Sequence, residues 1–340
     1  MAKVVTFGEI MLRLSTPGYQ RFIQADSFDV TYGGGEANVA CSLANYGAEA
    51  AFVTKVPANP LGQAAINHLR RYGVDTSFIL KGGERLGIYF LETGASQRPS
   101  KVVYDRKYAS IAGVQPGEFD WARIFSGASW FHFTGITPAL GENVAAVTLE
   151  AARTAKEMGL TVSCDLNYRK NLWTPAQARA TMTELMAYVD VAIGNEEDAE
   201  KVFGIKAAAS DVTKGEISEE GYRQVARELL TRFNLQKVAI TLRESFSAFD
   251  NGWSALLYDG REFYRSRRYQ IHIVDRVGGG DAFAGGLIYA LTEGFAPAEA
   301  LEFAVAASCL KHTIPGDFNH VTKEEVMTLM RGDASGRVQR

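Results

Sequence analysis

Asp275-Arg276-Val277-Gly278-Gly279-Gly280-Asp281-Ala282-Phe283-Ala284-Gly285-Gly286 lies late in the 340-residue chain and leads into a helical segment. Three consecutive glycines there let the backbone approach an anion and leave its N–H groups free. A helix N-terminus adds about half a positive charge. The stretch therefore predicts an anion hole suited to a phosphoryl group in transfer. Asp281, at its mouth, has two readings: a helix N-cap, or a general base that takes the proton of an attacking hydroxyl. The small residues Ala282, Ala284, Gly285 and Gly286 predict close helix packing, which would hold Asp281 rigidly.

Working outward, short β-branched runs alternate with amphipathic segments. Strands are predicted at Val4–Phe7, Ala51–Val56, Trp130–Phe133, Thr161–Asp165, Val189–Ile193 and Lys237–Thr241, with two or three more up to about Tyr269. Helices are predicted at Ala37–Tyr46, Leu61–Tyr72, Glu142–Met158, Pro175–Tyr188, Glu219–Phe233, Asp281–Thr292, Pro297–Leu310 and Thr322–Met330. Gly47, Gly73 and Gly159 follow three of these helices, where a glycine takes positive φ without a Cβ penalty. Such alternation implies an α/β three-layer sandwich with a mainly parallel central sheet.

The pattern breaks once. Gly87–Glu92 and Lys101–Arg106 flank the turn-rich 93–99 without a helix between them, so they read as a β-hairpin. With Met11–Tyr32 they predict a small β lid, inserted from about 11–32 and 86–112 into a single domain spanning 1–330. The polar tail 331–340 is expected to fray.

Composition narrows the function classes. The chain is 46% hydrophobic and 22% charged, with net charge −3. The densest basic stretch, Arg261–Arg268, holds four arginines interrupted by Glu262, Phe263 and Tyr264. It reads as a solvated strand and turn, and no nucleic-acid partner is expected. No apolar stretch of about 18 residues occurs and the first residues read as a strand, so no membrane partner or leader is expected. Three scattered cysteines, Cys41, Cys164 and Cys309, suggest neither a disulfide framework nor a zinc site. A reducing, cytoplasmic setting is expected. The chain lacks a G-x-x-x-x-G-K-[ST] loop, a G-x-G-x-x-G turn after its first strand, and the protein-kinase H-R-D and D-F-G elements.

Asp275–Gly286 closely resembles the C-terminal signature of the ribokinase-like (PfkB) carbohydrate kinases. Gly33-Gly34-Gly35-Glu36-Ala37-Asn38-Val39-Ala40 resembles their N-terminal signature, and the order of elements fits across nearly the whole chain. The resemblance implies ATP and Mg²⁺ as cofactors, Asp281 as catalytic base, and Gly278, Gly279 and Gly280 as the anion hole. It also places Gly33, Gly34 and Asn38 along the sugar. Whether a monovalent cation activates the enzyme is left open. The lid of this family often serves as a dimer contact, so a homo-oligomer through the β lid is implied.

Several features point to a sugar acid as substrate. Asp165-Leu166-Asn167-Tyr168-Arg169 ends a strand, where α/β sheets place ligands. Tyr104-Asp105-Arg106 lies on the second lid strand. Two arginines facing one cleft suit a carboxylate, which Arg binds bidentately. The alternative is that both form structural ion pairs, or that Arg169 contacts ATP. The run from Asp165 to Trp173, Glu36, and Lys311-His312-Thr313-Ile314-Pro315-Gly316-Asp317-Phe318-Asn319 are similar to the 2-keto-3-deoxygluconate kinase branch. That resemblance implies Gly34, Tyr89, Tyr104, Arg106, Arg169 and Asp281 as substrate contacts. Tyr89 reads equally as an aromatic of the lid core. The implied reaction moves the γ-phosphate of ATP to the terminal hydroxyl of 2-keto-3-deoxygluconate. Fructokinase-type, ribokinase-type or other keto-deoxy-acid kinases, and a non-catalytic sugar sensor on the same fold, are the alternatives.

For ATP the resemblance implies Asn167, Asn195, Thr241, Arg243, Gly278 and Gly280. Gly194-Asn195-Glu196-Glu197-Asp198 is similar to an Asn-x-x-Glu element that places Mg²⁺ through water, with Asp198 in the Glu position. Its acids also suit a plain helix N-terminus. Thr241-Leu242-Arg243-Glu244-Ser245-Phe246 aligns with a loop usually written Thr-Leu-Gly-x-x-Gly. Both glycines are replaced, by Arg243 and Phe246, so the shape of this segment is open. Pro57 stands where a glycine is usual, before Gly62.

Overall fold

The computed structural model describes residues 2–195, 197–206 and 219–332. The strands are β1 (Lys3–Phe7), β2 (Met11–Ser15), β3 (Asp29–Gly33), β4 (Glu49–Val56), β5 (Ile79–Lys81), β6 (Gly87–Glu92) and β7 (Lys101–Asp105). They continue with β8 (Ala128–Thr134), β9 (Thr161–Asp165), β10 (Val191–Asn195), β11 (Lys237–Ser245), β12 (Asp250–Tyr258), β13 (Phe263–Arg265) and β14 (Tyr269–His272). The helices are α1 (Gly35–Asn45), α2 (Pro60–Arg70), α3 (Trp121–Ile124), α4 (Glu142–Glu157) and α5 (Pro175–Met186). They end with α6 (Asp198–Phe203), α7 (Glu219–Phe233), α8 (Gly279–Thr292), α9 (Pro297–Lys311) and α10 (Lys323–Met330).

The large sheet runs β13-β12-β11-β10-β9-β8-β1-β4-β5, with β14 also paired to β12. From β11 to β5 every pairing is parallel; the pairings of β12 are antiparallel. Side chains alternate between two cores. On β1, Val4 joins the core under α1, α2, α8, α9 and α10, while Val5 and Phe7 join the one under α3 to α7. The predicted three-layer sandwich is thus observed. Its reason is the strand period of two, which gives the sheet two apolar faces that must both be covered.

Helix starts follow their side chains. Asn59 caps α2 by accepting from the N–H groups of Leu61 and Gly62. Thr174 with Gln177, and Thr322 with Glu325, form reciprocal capping boxes on α5 and α10. Close packing around α8 depends on its glycines. A Cβ on Gly285 would sit 2.7 Å from Ser42 of α1, and one on Gly286 would sit 3.0 Å from Ala304 of α9.

The lid is a separate four-stranded sheet in the order β3-β2-β6-β7. Its boundary corrects the expectation of 86–112. Ala109 and Ile111 are buried in the main core, so the chain has left the lid after β7. Their apolar side chains have more surface to cover on the body than on a thin sheet. Residues 333–340 of the tail expected to fray lie outside the described residues. In the arginine-rich stretch, Arg265 pairs with Glu219 and Arg268 with Glu244. No helix among the described residues is long and apolar enough to cross a membrane.

Candidate active site

The C-terminal ends of β9, β10 and β11, the starts of α1 and α8, and the inner face of the lid enclose a cleft of about 420 Å³. Every candidate site residue read from the sequence lines it except Gly33. Gly33 ends β3 and is buried against Asp317: a Cβ there would lie 1.9 Å from Oδ2 of that carboxylate. It makes room for the side chain of Asp317, which itself lines the cleft.

Asp281 is the third residue of α8, and Gly278 holds the N-cap place with no side-chain cap. The capping reading of Asp281 is therefore not what the structure shows. Its Oδ2 accepts a hydrogen bond of 2.6 Å from Nδ2 of Asn38. Asn38 Oδ1 in turn accepts from the Gly34 N–H at 3.2 Å. Both polar groups of Asn38 thus serve to orient Asp281 and the first glycine turn. Removal from water pushes the Asp281 carboxyl up to about 6, opposed by the Asn38 amide.

The three glycines before it have three reasons. Gly278 has φ 81°, a left-handed conformation, and a Cβ would lie 2.0 Å from the Asp317 carbonyl oxygen. A Cβ on Gly279 would strike the His312 ring at 2.4 Å. At Gly280 a Cβ would meet nothing within 4 Å. Packing explains the first two. The third faces open space at the positive end of α8, where an anion fits.

On the lid side, Tyr89 is buried and its hydroxyl donates to Asp317 Oδ2 at 2.5 Å. Tyr104 lies beside Tyr89, with ring centroids 5.9 Å apart, and the Arg106 guanidinium sits 5.3 Å from the centre of the Tyr104 ring. Arg106 is ion-paired with the buried Glu9. The structural alternative for Arg106 is thus realised in this state, although Arg106 also lines the cleft. Arg169 stands exposed in the loop after β9, and its charge reaches Asp165, Asp198 and Asp281.

Asn167, Asn195, Thr241 and Arg243 also line the cleft. Asn167 adopts φ 36°. Thr241 Oγ1 donates to the Gly194 carbonyl at 3.4 Å. The altered Thr241–Phe246 segment is no glycine loop: β11 continues to Ser245 and pairs with β12 throughout. Without glycines nothing bends it, and Glu244 is pinned by Arg268 at 2.7 Å. Asn195 Oδ1 accepts from the N–H groups of Glu197 and Asp198. Asp198 accepts from the N–H groups of Tyr168 and Asn195. Both residues therefore shape the start of α6 and also line the cleft.

Three buried charged groups in or beneath the cleft have contacts that the sequence did not reveal. Asp165 is buried there, and desolvation together with the charges of Asp198 and Asp281 pushes it well above the usual carboxylate range. Glu36 is buried, accepts from Thr134 N and Thr137 Oγ1, and rises to about 7 through burial. Beneath the lid, Arg13 donates to Asp317 at 2.7 Å and to Asp275 at 2.5 Å, out of water. An arginine inside the apolar run Met11-Leu12-Arg13-Leu14 was the available signal, since such a charge on a half-buried strand needs a partner. No group of three or more His, Cys, Asp or Glu placed to hold a metal occurs among the described residues.

A family model described as pfkB family carbohydrate kinase matches residues 1–322. The chain belongs to the pfkB family of carbohydrate kinases. The resemblance read from the two glycine motifs is thereby established. This pfkB kinase is 35% identical over 335 residues to a Haloferax volcanii protein named 2-dehydro-3-deoxygalactonokinase, covering 98% of both chains. It is 28% identical to the 2-dehydro-3-deoxygluconokinase of Bacillus subtilis, covering 96% of this chain and 94% of that one. Among solved structures, the 2-dehydro-3-deoxygluconokinase of Thermotoga maritima superposes with a TM-score of 0.94 at 55% identity, covering 98% of this chain and all of that one.

Proposed function

We propose that this pfkB carbohydrate kinase transfers the γ-phosphate of ATP to the terminal hydroxyl of 2-keto-3-deoxygluconate, giving the 6-phosphate and ADP. One observation carries the reading. Asp281 and the open face of Gly280 lie in the same cleft as Tyr104, Arg106 and Arg169. A base beside an anion hole suits phosphoryl transfer, and arginines in that cleft suit a carboxylate. The names of the similar proteins from Thermotoga maritima and Bacillus subtilis support the substrate class.

In this mechanism Asp281 takes the proton of the terminal hydroxyl as its oxygen attacks the γ-phosphorus. The bond from that phosphorus to the bridging oxygen of ADP breaks, and its electron pair leaves with ADP. The Gly280 N–H, with that of Gly278 beside it, holds the developing charge. The Gly279 N–H donates to the Arg276 carbonyl at 3.4 Å and would join them only by giving up that bond. Tyr89 and Tyr104 line the sugar with Gly34, and Arg106 and Arg169 take its carboxylate. Asn167, Asn195, Thr241 and Arg243 line the nucleotide. Asn195 and Asp198 would hold Mg²⁺ through water, with the buried Asp165, whose ionisation Asp198 disfavours, as a further acid for it; the ion would neutralise phosphate charge. The lid would exclude water from the reaction. The lid also exposes Val30 and Val103, at 59% and 52%, which supports pairing of two chains through it. Three buried free thiols suit a cytoplasmic setting.

The test is a coupled ADP-release assay with Mg-ATP over keto-deoxy acids of both gluconate and galactonate configuration, and over neutral ketoses and ribose. Turnover of the gluconate-type acid above all neutral sugars is expected. Preference for fructose or ribose would reject the acid assignment. Asp281→Asn should lose about 10²–10⁴-fold in kcat; a variant that keeps its rate would remove Asp281 from the chemistry.

A further inference from the structure

The last turn of α9 grips the anion hole from beneath. Ser308 Oγ donates to the Gly279 carbonyl at 2.7 Å. The His312 carbonyl accepts from the N–H groups of Val274 and Asp275, at 2.8 and 3.2 Å, and its ring lies against Gly279. Between these two residues stands Lys311, fully buried at 0% exposure. Its Nζ donates to the carbonyl oxygens of Asp275 at 3.3 Å and Ile314 at 3.1 Å.

A lysine in such a place is anomalous. Burial disfavours its charge, and Arg13 adds to the cost, while Asp275, Asp317 and Asp281 favour it. A methionine of similar length would fill the space without desolvating an ammonium. The three carboxylates explain why a charge is kept. Arg13 bridges Asp275 and Asp317, but Asp281 has no direct ion pair among the described residues: its hydrogen bond comes from a neutral amide, and Arg169 and Lys311 act on it without contact. A phosphoryl group entering beside Gly280 brings further negative charge. A fixed cation under the turn offsets both.

We infer that Lys311 is a built-in cation that positions the 275–280 turn and offsets the charge of the transferred phosphoryl group, taking a carbonyl-lined place in which a free monovalent cation would otherwise sit. Lys311 touches no reacting atom; it acts through the Asp275 carbonyl, so it is a positioning residue. Carbonyl oxygens are the ligands that alkali cations take in proteins, and an ammonium held by two of them is their chemical equivalent. Turnover is then independent of added monovalent cation. The inference rests on the kinase reading, but not on the identity of the sugar, because Lys311 serves the phosphoryl end.

The experiment uses the full chain, with whichever acceptor it phosphorylates best, in chlorides of tetramethylammonium, sodium, potassium and ammonium. The wild type is expected to vary less than about twofold among them. Lys311→Ala opens space at the carbonyls and should lose about 10²-fold or more in kcat, in the range of other electrostatic contacts of this kind. Its KM for the sugar should change little, and potassium or ammonium should restore at least about tenfold of the loss, by the same electrostatic contribution. Lys311→Met fills the space and should lose kcat without rescue. Thermal melting of each variant checks folding. A wild type that needs potassium overturns the inference, and this arm stands even if neither variant folds. A loss in Lys311→Ala that no cation restores assigns Lys311 to packing alone and also overturns it. Preference for a neutral sugar overturns the acid-substrate reading and leaves this comparison intact.

Discussion

Asn38 and Asp281, 243 positions apart, meet through a 2.6 Å hydrogen bond from Nδ2 to Oδ2. This contact joins the two glycine motifs into one site. It also makes the ionisation of Asp281 readable, because the amide favours the carboxylate while burial disfavours it. The base is active when ionised. The rate kcat/KM should therefore fall below pH 6, about tenfold per pH unit in the limit of one proton. Asn38→Ala removes the donor, so the acid limb should move to higher pH and kcat should drop. A limb unmoved in Asn38→Ala would show that another group controls it.

The same shift has a stability consequence of defined sign. The folded chain binds the Asp281 proton more tightly than the unfolded chain does, since its carboxyl rises from 3.8 to about 6. Ionising it therefore costs stability, from about pH 4 upward and fully above pH 6. Asp281→Asn should melt higher than wild type at pH 8, and the difference should vanish toward pH 4. Equal shifts at both pH values would contradict the raised carboxyl.

Gly280 and Gly278 should separate function from folding. An alanine at 280 meets empty space, so Gly280→Ala should melt like wild type yet lose most of kcat, because its methyl group fills the anion's place. Gly278→Ala must force a Cβ against the Asp317 backbone at φ 81°. It should lose well over 1 kcal/mol in urea unfolding. If Gly280→Ala keeps full activity, the open face is not the phosphoryl site.

Arg106 and Glu9 test how the sugar acid is held. The pair is buried beside the cleft, and a carboxylate substrate would compete with Glu9 for the guanidinium. Arg106→Met should raise the KM for the sugar acid by about 10- to 100-fold, corresponding to a charged hydrogen bond of about 1.5–3 kcal/mol. The KM for ATP should stay unchanged. Equal effects on both substrates would place Arg106 in lid closure instead.

Arg13 ties the lid strand β2 to Asp275 and Asp317 on the body. Arg13→Met leaves two buried carboxylates without their partner and should cost about 3–5 kcal/mol in denaturant unfolding. Adding Asp275→Asn and Asp317→Asn to it should recover part of the loss, because the unpaired charges are then gone.

The sequence alone determined the layered α/β architecture and most element positions, because strand and helix periods are local properties of a chain. Thr161–Asp165, Gly87–Glu92 and Glu219–Phe233 fall where the pattern put them. It also marked the two glycine motifs, since glycine runs before a helix have few other uses. Tertiary structure decided the rest. That Gly33 serves Asp317, that β11 runs straight through Arg243, and that Arg106 rests on Glu9 depend on residues far away in the chain. So does the gathering of Arg13, Asp275, Asp317 and Lys311 beneath the site. Buried charges are specified by pairing across the fold, and a one-dimensional pattern records each partner but not the meeting. The chemistry of the anion hole was therefore legible from its own residues, whereas its electrostatic support appeared only when the lid, the turn and the end of α9 were brought together.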